Sequence, residues 1–405
     1  MATIAATTPS TRKRRKNSRI WWHVHQWVGL KLAIFMSFVC FTGTLAVVSN
    51  EIDWLLQPTL RVSPSTVGDE PQWEKVAAAA AEWPGGKVTI LAAPVASAFA
   101  ATAAIERPDG TLRVLHIHPS TGKVQGEVSW VGAQRVLRNM HRHLNLPVKY
   151  GVPIVCTMAL LLLVSVVTSL VVYKRWWRGF FKPIRWRDAR TAWGDLHRLA
   201  GVWSLWFALL IALTGIWYLV EELGLDAPAM READAELVSA ADPAQVDFAA
   251  NLAAAQLALP GLRIQRILMP QGPGGLFEFE GQLDAMLVRE RSNSVSTDPT
   301  TARVLLARRG EELNVHQRIS EMADPLHFGS FGGYWTKVPW FLFGLAMTGL
   351  SISGVAIYGL RVSRTVPDVQ AAAVAWRGMG RWRWLALIPV AIAFGLLPSL
   401  VLGSG

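Results

Sequence analysis

Residues 151–173, "GVPIVCTMALLLLVSVVTSLVVY", run without a single charged side chain. A helix needs roughly 20 apolar residues to cross a hydrocarbon core. Inside that core every backbone polar group must find its partner within the segment or in neighbouring protein. A stretch of this kind commits the chain to a membrane. Four more runs satisfy the same test, at about 28–49, 199–220, 338–360 and 384–402. The first contains one charge, Lys31, close enough to its end to snorkel to the interface; the last is the shortest. With 51% hydrophobic residues, 19 Trp and only 17% charged residues, the composition is that of a polytopic membrane protein and unlike that of a soluble enzyme.

Lys and Arg near the span ends set the orientation. "TRKRRKNSR" precedes the first span, "YKRWWRGFFKPIRWRDAR" joins the second to the third, and "GLRVSR" with "RGMGRWRW" joins the fourth to the fifth. All three belong on the cytoplasmic side, which leaves residues 50–140 and 221–326 outside. The net charge of +11 is mostly this bias, and anionic headgroups are its partner. Nucleic acid is a poor reading, because the basic residues flank spans and the Trp among them fit an interfacial belt. The apolar run after the basic N-terminus is too long for a cleaved signal peptide and reads as an uncleaved anchor. The two cysteines, Cys40 and Cys156, both fall inside spans. They offer no disulfide framework, no Cys-x-x-Cys-His haem attachment and no thiolate cluster.

The chain repeats itself. His25, Gly29, Thr42 and Gly43 recur 172 residues later as His197, Gly201, Thr214 and Gly215. "HPSTGKV" at 118–124 is echoed by "DPTTARV" at 298–304, and each is followed by a histidine-bearing segment and a span ending near Tyr173 or Tyr358. The period implies span–domain–span, twice, with a fifth span appended. The resulting fold class is an α-helical polytopic membrane protein, internally duplicated, with two small α+β periplasmic domains. Its parts are a basic tail (1–20), a first span (21–49), an outer domain (50–140), an outer histidine segment with the second span (141–173), a basic loop (174–196), a third span (197–220), a second outer domain (221–326), its histidine segment with the fourth span (327–360), a cytoplasmic loop (361–383) and the fifth span (384–405). Within the outer domains, 74–83 and 243–258 suit helices. "KVTILAAP", "TLRVLHIHPSTGKVQG", "RIQRILMP" and "GGLFEFEG" suit strands between Gly, Pro and Asp turns. "GPGGLF" lies in no βαβ unit and reads as a turn.

Nine histidines are present, and topology sorts them. His23, His25 and His197 lie at the cytoplasmic ends of spans one and three. His141, His143, His316 and His327 lie near the outer ends of spans two and four. In each half the inner histidine has Gly at i+4, on the same helical face, which leaves room for a flat ligand beside the imidazole. Haem iron, for which imidazole is a common axial ligand, suits that arrangement; close helix packing accounts for the glycines but not for the histidines. His25 and His143 sit at opposite faces, roughly the 30 Å hydrocarbon thickness apart, and cannot share an iron. His25 with His197, and His143 with His327, can. Two bis-histidine haems, one above the other, follow as the expectation. Residues two apart on a helix point to different faces, so His23 competes with His25 and His141 with His143, and His316 stands near His327 as a further candidate. His116 and His118 would share a face of a strand, where a small metal site competes with ordinary turn polarity.

"HVHQWVGL…FTGTL", "LHRLAGVW…LTGIW", "HPSTGKV" and "PLHFGSFGGYWTKVPWFLFGLAMTGLSISGVAIYGL" resemble the PepSY-associated transmembrane family of bacterial inner-membrane proteins, over about residues 20–362. The nearest functional relatives by this resemblance are ferric-siderophore reductases of the FoxB kind. The resemblance implies two haem b groups, PepSY-like periplasmic domains and electron transfer to a ferric siderophore. "DPLHFG" in the second half against "MHRHLNLP" in the first leaves His141 and His143 both open as the outer ligand. An inner donor (quinol, a flavoprotein or a soluble reductant) would supply the electrons. Arg142 and Arg198 beside the ligands could meet haem propionates, whereas Trp203, Trp206 and Phe35 read as core and lipid contacts. Two other classes compete: a carrier for an iron or siderophore species, since internal repeats are common in transporters, and a membrane-anchored PepSY protein that binds peptides or a protease without redox activity. Either should purify colourless, whereas a haem reductase should be red.

Overall fold

The computed structural model describes residues 10–63, 70–234, 236, 238, 246–272, 274–365 and 369–402. Along the chain come helices α1 (Ser10–Lys31), α2 (Ala33–Val47), α3 (Ser49–Leu56) and α4 (Trp73–Glu82), then strands β1 (Lys87–Ala92), β2 (Ala101–Glu106), β3 (Leu112–Ile117) and β4 (Val124–Ser129), then α5 (Ala133–His143) and α6 (Val148–Val172). A second series follows in nearly the same order: α7 (Ala189–Trp203), α8 (Leu205–Glu222), α9 (Phe248–Ala258), β5 (Arg263–Leu268), β6 (Phe277–Gln282), β7 (Asn293–Thr297), β8 (Val304–Arg308), α10 (Val315–Phe328) and α11 (Tyr334–Ser363). Helices α12 (Ala371–Met379), α13 (Trp382–Gly395) and α14 (Leu397–Leu402) close the chain. Among the described residues, one compact unit holds those up to Val47, Arg138–Gly224 and Lys337–Leu396; the other holds Val48–Leu137, Leu225–Thr336 and those from Leu397.

α6, α8, α11 and residues Trp382–Val401 are each long and apolar enough to cross a membrane. Arg19–Lys31 and Ala33–Val47 form a helix pair bent by 69° at Leu32, which makes a fifth candidate span if the two are taken as one. The third expected span is also interrupted, at Ser204 between α7 and α8. There the Ser204 hydroxyl donates to the Ala200 carbonyl at 2.6 Å, a back-bond that bends helices. Both interruptions fall seven residues beyond a histidine, His25 or His197. The Lys31 Nζ donates to the Gly378 carbonyl in the last turn of α12, where the helix dipole favours a cation. Leu30, Ala33 and Met379 form a small buried cluster beside it, and Trp27 meets Trp382 edge-on at 5.1 Å. α12 and the start of α13 therefore pack against the bend. Small hydroxyls sit where helices approach closely: Ser37 donates to Ser351 at 2.8 Å, and a Cβ at Gly344 would lie 2.7 Å from Thr44 Oγ1. Such hydroxyl-lined contacts are those expected where lipid supplies no hydrophobic drive between helices.

In the second unit all eight strands form a single antiparallel sheet, ordered β4-β3-β2-β1-β5-β6-β7-β8. The strands of each half were expected to belong to separate domains; instead β1 pairs with β5 through Ile90–Leu268, Leu91–Ile267 and Ala92–Arg266. α4 and α9 cover one face, closing a core that includes Leu91, Ile105, Leu115, Ile117, Ile267, Phe277, Phe279 and Val295. Burying each of the two phenylalanines contributes about 1.5–3 kcal/mol. Strand alternation turns His116, Arg266, Glu278 and Glu280 to the opposite face. The expected helix over 243–258 begins at Phe248, capped by the Asp247 side chain; residues 243–245 lie outside the described residues, as does Pro273 of "GPGGLF". Strands β2, β7 and β8 were not anticipated.

Candidate functional site

His25 on α1 and His197 on α7 lie side by side in the first unit, ring centroids 6.5 Å apart and planes at 82°. Each ring is oriented by a hydroxyl on another span. His25 Nδ1 lies 3.0 Å from Thr168 Oγ1 on α6, and His197 Nδ1 lies 2.8 Å from Ser353 Oγ on α11. The hydroxyl hydrogens are already committed: Thr168 donates to the Val164 carbonyl at 2.7 Å, and Ser353 to the Leu350 carbonyl at 3.1 Å. Both oxygens therefore accept, both Nδ1 atoms carry the proton, and the network assigns the lone pair of each ring to Nε2. This is the tautomer a metal ligand requires, held by the kind of outer hydrogen bond that orients ligating histidines.

The glycines around the pair leave clearance. A Cβ added at Gly29 would meet nothing within 4 Å; one at Gly201 would meet only Leu350, at 3.6 Å; one at Gly354 would lie 3.7 Å from the His197 ring. The expected open space is present at Gly29, whereas Gly201 stands in ordinary contact distance of Leu350. No group of three or more His, Cys, Asp or Glu that could hold a metal occurs among the described residues. Two imidazoles alone suit an ion that brings its remaining ligands with it.

The competitors fall elsewhere. His23 is exposed and lies edge-on to Trp22 at 5.0 Å. His141 presses its ring onto the glycine of "FTGTL": a Cβ at Gly43 would come 2.6 Å from its Cε1. Its Nδ1 donates to the Val39 carbonyl at 3.0 Å, which again leaves the lone pair on Nε2. His143 ends α5 differently, with its backbone oxygen and Cβ against Gly151 and its Nδ1 buried without a hydrogen-bond partner. Of the two, His141 is the one packed into the spans. Gly215, the counterpart of Gly43, serves packing instead, with the Ala159 methyl 2.8 Å from where its Cβ would be.

His316 and His327 belong to α10 in the other unit. His327 is half-buried, edge-on to Phe328 at 5.4 Å, one residue before the helix ends in Gly329 (φ 68°). α10 is anchored by Glu321, whose carboxylate accepts from Arg289, Arg291 and Ser292. Burial pushes that carboxyl up, yet the two guanidinium groups outweigh it and hold it below the ordinary value. Nearby, burial lifts Glu280 to about 7, which Arg266 only partly offsets; Arg266 Nε is 2.9 Å away.

His116 and His118 each have a separate partner. Thr59 Oγ1 lies 2.8 Å from His116 Nδ1, and burial pulls that ring down to about 4. His118 Nδ1 accepts from the Ser120 amide at 3.3 Å inside a turn closed by His118 N to Lys123 O, 2.9 Å. The echoed turn has the same bonds, Asp298 N to Arg303 O at 2.9 Å, with Asp298 in the capping role. Arg198 donates to the Lys182 and Pro183 carbonyls, and Trp206 packs among Trp340, Phe207 and Phe343. Thr168 and Ser353 escaped sequence reasoning. Each stands five residues before Tyr173 or Tyr358, so the repeat itself contained the signal.

A histidine pair set among apolar, membrane-length helices, in a chain that also builds an eight-stranded α+β unit, defines a multi-pass membrane protein with a sizeable non-membrane part. The chain belongs to the family described as the PepSY-associated TM region, which matches residues 22–361. No curated protein sequence matches it.

Proposed function

We propose that the chain is a bacterial inner-membrane electron-transfer protein that binds haem b between His25 and His197 and reduces a ferric siderophore on the periplasmic side. The observation that carries this reading is the 6.5 Å separation of two imidazoles whose Nδ1 atoms are both tied back to hydroxyls. Two imidazoles joined to one iron through Nε2, with bonds of about 2.0 Å and ring centres about 1.2 Å behind each nitrogen, would have centroids about 6.3 Å apart. The clearance at Gly29 and Gly354 fits the edge of a flat macrocycle. Bound haem would supply a one-electron iron(III)/iron(II) couple. The residues of the chain hold two helices at a fixed spacing, set both tautomers and keep the pair within apolar surroundings. One electron passed to the iron(III) of a hard-oxygen chelate yields iron(II), which the chelator holds far less tightly, and the chelator survives.

Internal duplication supports a second haem at the other membrane face, with His141 preferred over His143 as the ligand from the first half. The matching helix breaks, the matching turns at His118 and Asp298, and the mirrored strand order favour that duplication. Basic loops at 174–196 and 361–383 favour their placement in the cytoplasm, with the sheet unit in the periplasm. His143 and His327 belong to different compact units, and the inner pair alone carries the reading. An absorption spectrum of purified protein, oxidised and reduced, with a pyridine haemochrome assay tests it. Sharp reduced α-bands, about two haems per chain and loss of one in His197→Ala are expected. Colourless protein from haem-replete cells overturns the reading.

A further inference from the structure

Beside the histidine pair but independent of it, an open groove of about 420 Å³ runs between α7 and the loop that follows α6. Phe180, Phe181, Leu199, Ala200 and Trp203 make it apolar, and Lys182 stands at its rim. The walls are held in place: Trp203 Nε1 donates to the Phe180 carbonyl at 3.0 Å, and Arg198 to the Lys182 carbonyl at 3.0 Å. Its depth follows from the helices. α6 ends at Val172 and α8 begins at Leu205, so the groove lies by the ends of two candidate spans.

The charge in the flanking segment is mostly basic. Residues 174–190 contain Lys174, Arg175, Arg178, Lys182, Arg185, Arg187 and Arg190 against one acid, Asp188. Asp188 is paired with Arg364, and Asp195 with Arg185, a pairing that pulls the Asp195 carboxyl down to about 2. Lys182 has no carboxylate partner among the described residues. Phe181 is 89% exposed and Trp203 49%, so the rings are available to an apolar chain.

We propose that this groove is a specific site for an anionic phospholipid, one acyl chain lying along Phe180, Phe181, Leu199 and Trp203 and the phosphate resting on Lys182. Basic pockets where helices meet the cytoplasmic surface bind such headgroups, and an uncharged lipophile would leave the rim cation without a counter-charge. By holding the 180–183 loop against α7, the lipid braces the helix that bears His197.

The test uses full-length protein in bilayers of mixed phosphatidylglycerol and phosphatidylcholine, extracted in mild detergent and weighed by native mass spectrometry. One retained phosphatidylglycerol in preference to phosphatidylcholine is expected. Lys182→Gln should weaken that preference about fivefold, the effect of one interfacial cation. Phe181→Ser, at an exposed position that does not threaten folding, should lower retention with every charge kept. Excess inorganic phosphate should not displace the lipid. Equal retention of both lipids overturns the proposal. So does a loss in Lys182→Gln unaccompanied by one in Phe181→Ser, which would mean a diffuse basic surface, and so does displacement by phosphate. The outcome is read without haem, so it stands or falls apart from the electron-transfer reading.

Discussion

Replacing Ser353 with alanine removes the acceptor of the His197 Nδ1–H, 2.8 Å away, and leaves only the Leu350 carbonyl near that buried donor. An orphaned buried polar group costs about 1–3 kcal/mol. Loss of an outer hydrogen bond to a ligating histidine costs about 10–100-fold in metal affinity, which at 1.4 kcal/mol per decade is the same range. Ser353→Ala should therefore purify with depleted haem at limiting supply. The haem that remains should have a raised midpoint potential, because an imidazole that no longer donates from Nδ1 is a poorer electron donor to iron(III). Ser353→Thr keeps the hydroxyl and should behave as wild type. The assay is haem per polypeptide by pyridine haemochrome together with a spectroelectrochemical titration. Ser351, two residues away, bonds Ser37 on α2 instead, so Ser351→Ala reports on helix packing alone. Equal haem loss and equal potential shifts in Ser351→Ala and Ser353→Ala would refute the orienting role. So would a Ser353→Ala protein with full haem and an unshifted potential.

Other outcomes follow from separate features. Gly29→Leu fills space that meets nothing within 4 Å of a Cβ, so the protein should fold and melt normally while losing the inner haem band; retention of the band would show the clearance is not used. His116, pulled to about 4 by burial from an ordinary 6.5, stays neutral in the folded chain while the unfolded chain takes up a proton. Stability contributed by neutral burial should fall as pH drops from 6.5 towards 4, by about 3 kcal/mol at the acid end. His116→Leu should flatten that slope in thermal melts at pH 7 and 4.5, and an unchanged slope would assign the acid sensitivity elsewhere. Glu321→Ala leaves Arg289 and Arg291 without their buried partner and should destabilise by about 3–5 kcal/mol, seen as a lowered urea midpoint; a shift below about 1 kcal/mol would mean the cluster relaxes into solvent.

The spans were legible because long uncharged runs have no other outcome in this chain, and the His25–His197 pair was legible because a repeat locates equivalent side chains. The break at Leu32 was not: no proline marks it, and it is revealed by the packing of α12 and α13. β2, "ATAAIE", is rich in a residue that strands disfavour and is strand only because both of its neighbours bury it. His141 and His143 are distinguished by one contact, the ring on Gly43, which spacing within α5 cannot convey. Thr168 and Ser353 look like any small hydroxyl in a span until the imidazoles are placed against them. That two sets of four strands merge into one sheet depends on which edges meet, a tertiary matter that alternation along each strand leaves open.

The seam between β1 and β5 has a consequence for any attempt to divide this chain. Cut within the 174–196 loop, each fragment would carry a four-stranded sheet with one newly bared edge, β1 or β5, and a bare edge is adhesive. Because the seam is antiparallel, the β1 edge of one N-terminal fragment can meet the β1 edge of another and rebuild an eight-stranded sheet with true twofold symmetry. The separated halves would then compete between reuniting and self-pairing, and fragment complementation would be a contest of partners, its outcome set by how well three residue pairs on each edge discriminate one half from the other.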